Sequence, residues 1–284
     1  MAKTLITHIN PHLDDICGIW LFKKFHPEFK DAKTEFISAT RSLNQGSRAK
    51  REVLISASHK GEKETEERVF VGTGGGKFDE HKEGLDTCAG SLVYEYLKEM
   101  GFIPTGSTEQ ALEKLIAWNR LIDTGKAPFS EFGVFSIQSF IRTKDNSSDT
   151  SRKSTQLGIE ILDRVLEVLK RKEQSILDFE KRVEFKSKFG KSYAVSSETV
   201  DREFCREQGG DLFLMYDPRF KSVQFFANDL DLEEIYRKVK ELDPEADWFL
   251  HQSHHMVICG SSSAPDSKPS KLSFEQLIEV IKGI

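Results

Sequence analysis

The sequence has few cysteines and no long apolar run, and each shortage excludes a class of protein. Its four cysteines (Cys17, Cys88, Cys205 and Cys259) are far apart and form no C-x-x-C pair. This spacing argues against a disulfide framework or a zinc knuckle and is typical of reduced cytosolic thiols. Because no run of about 18 apolar residues and no signal segment occurs, we expect a cytoplasmic protein without a membrane span.

An excess of basic charge is also lacking. The chain has 41 Lys and Arg against 46 Asp and Glu, which gives a formal net charge of −5. This balance excludes a protein coated in basic surface for duplex nucleic acid, although a local basic groove is compatible with it. At 284 residues, of which 38% are hydrophobic, the chain is long enough for one large domain or two modest ones.

Apolar strand and helix patterns alternate in the first half of the sequence. We predict strands at 3–8, 35–39 and 69–71, and helices at 14–25, 87–100 and 108–122. This order predicts an α/β fold with a parallel sheet. Ligands of such sheets bind outside the carboxyl ends of the strands, which is where the polar motifs of this sequence lie.

The second half predicts a smaller α/β domain after a long helix at 155–187. Strands are expected at 191–196, 211–216 and 222–227, and helices at 231–241 and 273–282. We therefore interpret 1–145 as a metal-binding domain, 146–189 as linker and long helix, and 190–284 as a substrate-binding domain. The active site would lie in the cleft between the two domains.

The first motif places two histidines and two aspartates directly after the first predicted strand: His8, His12, Asp14 and Asp15. Imidazole and carboxylate groups so close together can converge on one divalent cation, and this mixture suits manganese, zinc or iron better than calcium. Asp14 could instead only cap the following helix. Capping does not account for the two histidines and the second carboxylate, so the motif favours a metal site.

A glycine loop follows the third predicted strand. Lys77 in this loop precedes Phe78 instead of Ser or Thr, so a nucleotide-binding phosphate loop is not expected. Glycines such as Gly74 and Gly75 let the backbone approach an anion or a metal closely.

Three adjacent polar residues, Asp79, Glu80 and His81, end this loop, and Asp123 supplies a further carboxylate after a predicted helix. The alternative for the tripeptide is a solvated charge run, and for Asp123 an ordinary helix-terminal turn.

Together these motifs resemble the DHH phosphoesterase superfamily. Residues 7–16 are similar to its opening His-x-x-x-Asp-x-Asp string, and 79–81 to its Asp-His-His tripeptide. Residues 88–97 are similar to the helix after the tripeptide, and 123–125 to a later Asp-Thr/Asn-Gly.

Within the superfamily, the likeness is greatest to the melanocyte-proliferating-gene family of metal-dependent hydrolases. Its T-H-x-G-x-F-H-x-D-E opening is similar to Thr7, His8, His12, Asp14 and Asp15, with one residue fewer between the two histidines. The resemblance covers residues 4–125 and, weakly, 245–282.

The resemblance implies an exonuclease-like phosphoesterase acting on a nucleotide or a short single-stranded nucleic acid, with manganese expected and zinc or magnesium as alternatives. A homodimer is compatible with the sequence. The implied metal ligands are His8, His12, Asp14, Glu80 and Asp123. The implied catalytic residues are His81, Asp15 and Asp79. The implied substrate-binding residues are Arg41, Gly74, Gly75, His251, His254 and His255.

Two departures from the family pattern leave other interpretations open. Gly72 occupies the position that matches the family's metal-bridging aspartate, and Glu80 replaces the first histidine of the tripeptide. A single-metal enzyme or a degenerate nucleotide-binding protein would fit both changes. Residues 11–18 also fit a zinc deacetylase of the N-acetylglucosaminyl type, with ligands His12 and Asp15 and with Asp14 as base. That interpretation leaves Glu80 and Asp123 without a role.

Overall fold

A parallel three-stranded sheet organises the N-terminal part of the chain. Its order is β2 (Lys33–Ile37), β1 (Thr4–His8), β5 (Arg68–Phe70), and both outer strands run parallel to β1. Leu5 and Ile6 of the central strand are fully buried, as expected for a parallel strand covered on both faces. The predicted α/β fold is confirmed.

The computed structural model describes residues 3–41, 53–55, 64–81, 86–142, 145, 147–261 and 263–284. Within it the chain divides into two compact units, Met1–Lys170 and Arg171–Ile284. Besides its parallel sheet, the first unit has a two-stranded antiparallel sheet formed by β3 (Ala39–Arg41) and β4 (Val53–Ile55). Among the described residues, no helix combines the length and the apolar character needed to cross a membrane.

The helix that follows the central strand is enclosed. This helix, α1 (Leu13–Phe25), has ten consecutive buried residues from Leu13 to Phe22. Gly18 allows its close packing, because a Cβ atom there would lie 2.6 Å from Cγ1 of Val71. Further along the chain lie α2 (Ala89–Glu99), α3 (Ser107–Asp123) and α4 (Ile137–Ile141). The start of α1 is therefore fixed by packing on several sides.

The long helix, α5 (Ser148–Glu180), begins earlier and ends earlier than the pattern predicts. It starts inside the segment interpreted as polar linker, because the Ser147 hydroxyl accepts a hydrogen bond from the Thr150 amide at 3.1 Å and caps the helix. It ends before residue 187 because a strand occupies 183–187. Its buried Leu162 and Leu166 belong to the core of the first unit. The first unit thus extends to residue 170, beyond the predicted boundary at 145.

The second unit is built on a six-stranded mixed sheet. The strand order is β10 (Phe249–Leu250), β11 (Met256–Cys259), β9 (Ser222–Ala227), β8 (Leu212–Asp217), β7 (Gly190–Ser196), β6 (Val183–Ser187). Only the β7–β8 pair of this sheet is parallel, and α6 (Arg202–Arg206) lies in the connection between those two strands. Helices α7 (Glu233–Leu242) and α8 (Phe274–Lys282) bury apolar residues in the core of this unit.

Packing of α5 into the first unit can be tested with two leucines on the same helix. We expect Leu162→Ala to lower the free energy of unfolding by about 2–5 kcal/mol, because Leu162 is fully buried and its loss leaves a cavity. Leu157→Ala, at a position 43% exposed, should change it by less than about 0.5 kcal/mol. Urea denaturation measures both values. Equal effects of the two substitutions would show that this part of the helix is not part of the core.

Candidate metal centre

The candidate site lies at the carboxyl edge of the parallel sheet. His8 is the last residue of β1, and β5 leads through Val71 into the glycine loop. Asp123 is the last residue of α3. These elements bring together groups that are far apart in sequence, as the ligand rule for parallel α/β sheets predicts.

The His8 ring is oriented by one hydrogen bond on each nitrogen. Its Nδ1 lies 2.8 Å from the Ile9 carbonyl oxygen, and its Nε2 lies 2.9 Å from Oδ2 of Asp15. Burial opposes the charged ring, but the hydrogen bond and charge of Asp15 outweigh it and raise the pKa of His8 to about 9. A ring whose Nδ1 is held by a backbone carbonyl presents Nε2 in the way that metal-binding histidines do.

The turn between the two histidines is held from a distance. Asn10 has a φ of +55°, and its amide donates a 3.0 Å hydrogen bond to the Ser151 hydroxyl of α5. His12 is the N-cap residue of α1, and its amide donates to Oδ2 of Asp15 at 2.7 Å. The two histidine rings meet edge to face with centroids 5.3 Å apart. Ser151, which the sequence motifs do not reveal, therefore helps to fix the spacing of the two rings.

Asp14, the next acidic residue in the first turn of α1, is 2% exposed. Its Oδ2 accepts a long, 3.4 Å hydrogen bond from the Ala89 amide at the start of α2. Burial, and then the charge of Asp15, raise the pKa of Asp14 well above its usual value. The Asp123 carboxylate lies close to Asp14, and burial, followed by the charge of Asp15, raises the pKa of Asp123 as well.

The glycine loop positions the tripeptide. Oδ2 of Asp79 accepts the Gly75 amide hydrogen at 2.6 Å, and its Oδ1 accepts the His81 amide hydrogen at 3.0 Å. Oδ1 also pairs with Nδ1 of His81 at 2.9 Å. Burial opposes ionisation of Asp79, but these hydrogen bonds hold its pKa below the usual value. Asp79 is thus a positioning residue, and the Gly75 amide is engaged by it.

Glu80 points into the same cluster. Oε1 lies 3.2 Å from Nδ1 of His81, while Oε2 is buried and has no hydrogen-bond partner among the described residues. Burial, and then the charge of Asp15, raise the pKa of Glu80 to about 7. Such a group favours either a proton or a cation.

The five predicted ligands and Asp15 come together in overlapping groups. In each group the ligand atoms lie within 4.8 Å of one another. The groups are His8 with His12 and Asp15, His12 with Asp14 and Asp123, and Asp14 with Asp15 and Glu80. The cluster therefore joins two imidazoles and four carboxylates in one region of the first unit.

These residues fit a divalent cation. Oδ1 of Asp15 is, like Oε2 of Glu80, a buried carboxylate oxygen without a partner in the described part of the chain. Leaving such atoms unsatisfied destabilises a folded protein. A mixed nitrogen and oxygen donor set suits manganese or zinc better than calcium.

The predicted substrate-binding residues lie in different parts of the structure. Arg41 ends β3, and its side chain is outside the described part of the structure. Gly74 and Gly75 lie in the loop next to Asp79. The three C-terminal histidines lie in the second unit and contact that unit's own residues: His251 with Ser253, His254 with Asp231, and His255 with the Leu230 carbonyl.

One basic residue near the site was missed by the sequence reasoning. Arg142 follows α4 and is exposed. Burial lowers the pKa of His12, and the positive charge of Arg142 contributes to that lowering, which places the guanidinium within electrostatic range of the cluster. In the sequence, Arg142 lies well beyond the motifs at 8–15, 79–81 and 123, and it belongs to no motif itself. Its closeness to the site is therefore seen only in the folded structure.

No protein-family model matches the sequence, and no curated protein is detectably similar to it. Among solved structures, the chain is similar to one described as a DHH-domain member of the S1p family of ribosomal proteins. The sequence identity is 13% and the TM-score is 0.31, over 99% of this chain and 85% of that chain. At this similarity the likeness carries no functional argument, and the site is interpreted from its own geometry.

The pKa shifts predict opposite pH dependences for stability and for metal binding. The raised pKa of Glu80 (about 7) and of His8 (about 9) stabilise the metal-free fold at low pH. The Glu80 contribution is lost as pH rises through about 7, and the His8 contribution as pH rises through about 9. Metal binding needs the deprotonated groups. We therefore expect Mn²⁺ to raise the thermal midpoint more at pH 8 than at pH 5.5, as measured by differential scanning fluorimetry.

Two variants control this measurement. Glu80→Gln should remove the part of the pH dependence near 7, whereas Glu95→Gln, at an exposed position on α2, should leave it unchanged. An equal Mn²⁺ effect at both pH values would contradict the assignment of these groups to a metal site.

Proposed function

We propose that the chain is a metal-dependent phosphoesterase that hydrolyses phosphodiester bonds in a nucleotide or a short single-stranded nucleic acid. The observation that supports this most directly is the convergence of His8, His12, Asp14, Glu80 and Asp123 at one edge of the sheet. The motif resemblance to DHH phosphoesterases points to the same residues.

The five converging side chains would hold the divalent cation. When bound, such an ion activates water and polarises a phosphoryl oxygen. Two carboxylates orient the histidine rings around the cation: Asp15 contacts the His8 ring, and Asp79 contacts the His81 ring. These carboxylate–histidine hydrogen bonds keep the two rings in a single orientation.

His81 is the best placed group to deliver a proton. Its side chain is 44% exposed, and its Nδ1 is held by Asp79, so Nε2 faces away from that carboxylate. The hydrogen bond to Asp79 raises the pKa of His81 above its usual value, which keeps the ring protonated nearer to neutral pH. A protonated imidazole can donate to the leaving oxygen of a phosphodiester.

Among the described residues of the first unit, Arg142 is a candidate for binding the substrate phosphate. A guanidinium can contact two oxygens of one phosphate at once. Its charge also offsets the carboxylates of the cluster, which would otherwise repel an anionic substrate.

The proposal is tested by Mn²⁺-dependent hydrolysis of a substrate panel: bis-(p-nitrophenyl) phosphate, a dinucleotide, short single-stranded RNA and DNA, and an N-acetylated amino sugar. We expect turnover of the phosphodiesters only with the metal. Asp14→Asn and Asp123→Asn should each lower kcat/KM by about 100-fold or more, since each removes a candidate ligand. Asp149→Asn, on the surface of α5, is the matched control.

Two results would reject the proposal. Turnover of the amino sugar alone, insensitive to Asp123→Asn, would indicate a deacetylase. Tight Mn²⁺ binding without turnover of any phosphodiester would indicate a binding protein.

The role of Arg142 is tested separately. We expect Arg142→Ala to raise KM by about 10-fold with a smaller effect on kcat, because a charged hydrogen bond to the substrate contributes about 1.5–3 kcal/mol. Arg142→Lys should recover part of the affinity. Arg152→Ala, which removes an exposed arginine of α5, should leave KM unchanged. A loss confined to kcat would argue against phosphate binding by Arg142.

A further inference from the structure

Gly72 and Asp15 share a space that only one side chain can fill. Gly72 follows β5 with a φ of +65°, and a Cβ atom there would overlap Oδ1 of Asp15 and lie 2.8 Å from its Cγ. The carboxylate on α1 therefore rests against bare backbone at the end of the strand. Any side chain at position 72 would displace it.

The two oxygens of Asp15 have different surroundings. Oδ2 is fully engaged, because it accepts from the His12 amide at 2.7 Å and faces Nε2 of His8 at 2.9 Å. Oδ1 is buried and has no hydrogen-bond partner in the described ranges. Since Asp15 is 1% exposed, bulk water does not satisfy Oδ1 either.

Asp15 is also the residue that links two parts of the cluster. It belongs to the group with His8 and His12 and to the group with Asp14 and Glu80. Oε2 of Glu80 is a second buried oxygen without a partner among the described residues. The resemblance to DHH phosphoesterases places Asp15 among the catalytic residues and not among the metal ligands, and it matches position 72 to a metal-bridging aspartate that this chain lacks.

We propose that Oδ1 of Asp15 is a direct ligand of the divalent cation, and that glycine at position 72 is what admits it. Helix α1 thus supplies, from its first turn, the carboxylate that the β5 side of the site does not carry. This inference rests on the proposed metal centre but not on the reaction.

A simpler role for Asp15 would be to cap α1 and hold His8. Asp15→Asn separates the two roles, because the amide oxygen can still accept from the His12 amide whereas the amide nitrogen cannot bind a cation. If Asp15 is a ligand, we expect Asp15→Asn to weaken Mn²⁺ affinity about 10-fold or more, as measured by isothermal titration calorimetry. We also expect a shifted visible spectrum of the Co²⁺-loaded protein. An affinity within about 3-fold of wild type and an unchanged Co²⁺ spectrum would overturn the proposal.

Position 72 gives a second, independent test. Gly72→Ala should weaken Mn²⁺ binding about 10-fold or more by displacing the Asp15 carboxylate, and should add little in the Asp15→Asn background. Gly101→Ala is the matched control. Gly101 also has a positive φ, +72°, but a Cβ there meets nothing within 4 Å in the described structure, so affinity should stay within about 3-fold.

The thermal midpoint of each metal-free variant reports whether it folds. If Gly72→Ala does not fold, the Asp15→Asn affinity and Co²⁺ spectrum decide the question alone. Full additivity of Gly72→Ala and Asp15→Asn would overturn the link between the two residues. If the wild-type chain binds no Mn²⁺, it is the proposed metal centre that fails. If it binds Mn²⁺ equally well without the Asp15 carboxylate, only this inference fails.

Discussion

The carboxylate of Asp15 is the interaction on which the site depends. One oxygen holds both the ring of His8, at the end of β1, and the amide of His12, at the start of α1. The strand and the helix are thus joined at the point where the chain turns between them. Without Asp15, the His8 ring would keep only its contact with the Ile9 carbonyl, and the His12 amide would lose its acceptor.

The Asp15 carboxylate also adds to the repulsion among the negative charges of the site. Burial raises the pKa of Asp14, Glu80 and Asp123, and the charge of Asp15 adds to each shift. Carboxylates crowded in this way oppose the fold unless protons or a cation compensate them. The enclosed helix α1 and its close contact at Gly18 supply packing that holds the cluster together despite this repulsion. Binding sites commonly concentrate such unfavourable charge where a ligand will offset it.

Much of the fold and part of the site follow from the sequence because their signals are local. Alternating strands and helices predict the parallel sheet, and the polar residues after β1 and β5 predict which edge carries the site. The start of α5 was missed because a polar segment concealed its Ser147 cap.

Other features depend on contacts between distant residues and have no local signal. From the sequence, Gly72 indicates only that a carboxylate is missing at this position. In the fold, the Asp15 side chain occupies the space that a side chain at position 72 would take. Arg142 and Ser151 approach the first motif only after the chain has folded back upon it. The assignment of the C-terminal histidines to substrate binding stays a prediction.

The hydrogen bond from Asn10 to Ser151 has a consequence for the order of events during synthesis. The two residues are 141 positions apart, and all the candidate ligands precede Ser151 in the chain. A ribosome therefore releases every ligand before it releases the hydroxyl that closes the turn between the first two. The turn between His8 and His12 can therefore form this contact only after the start of α5 has left the exit tunnel.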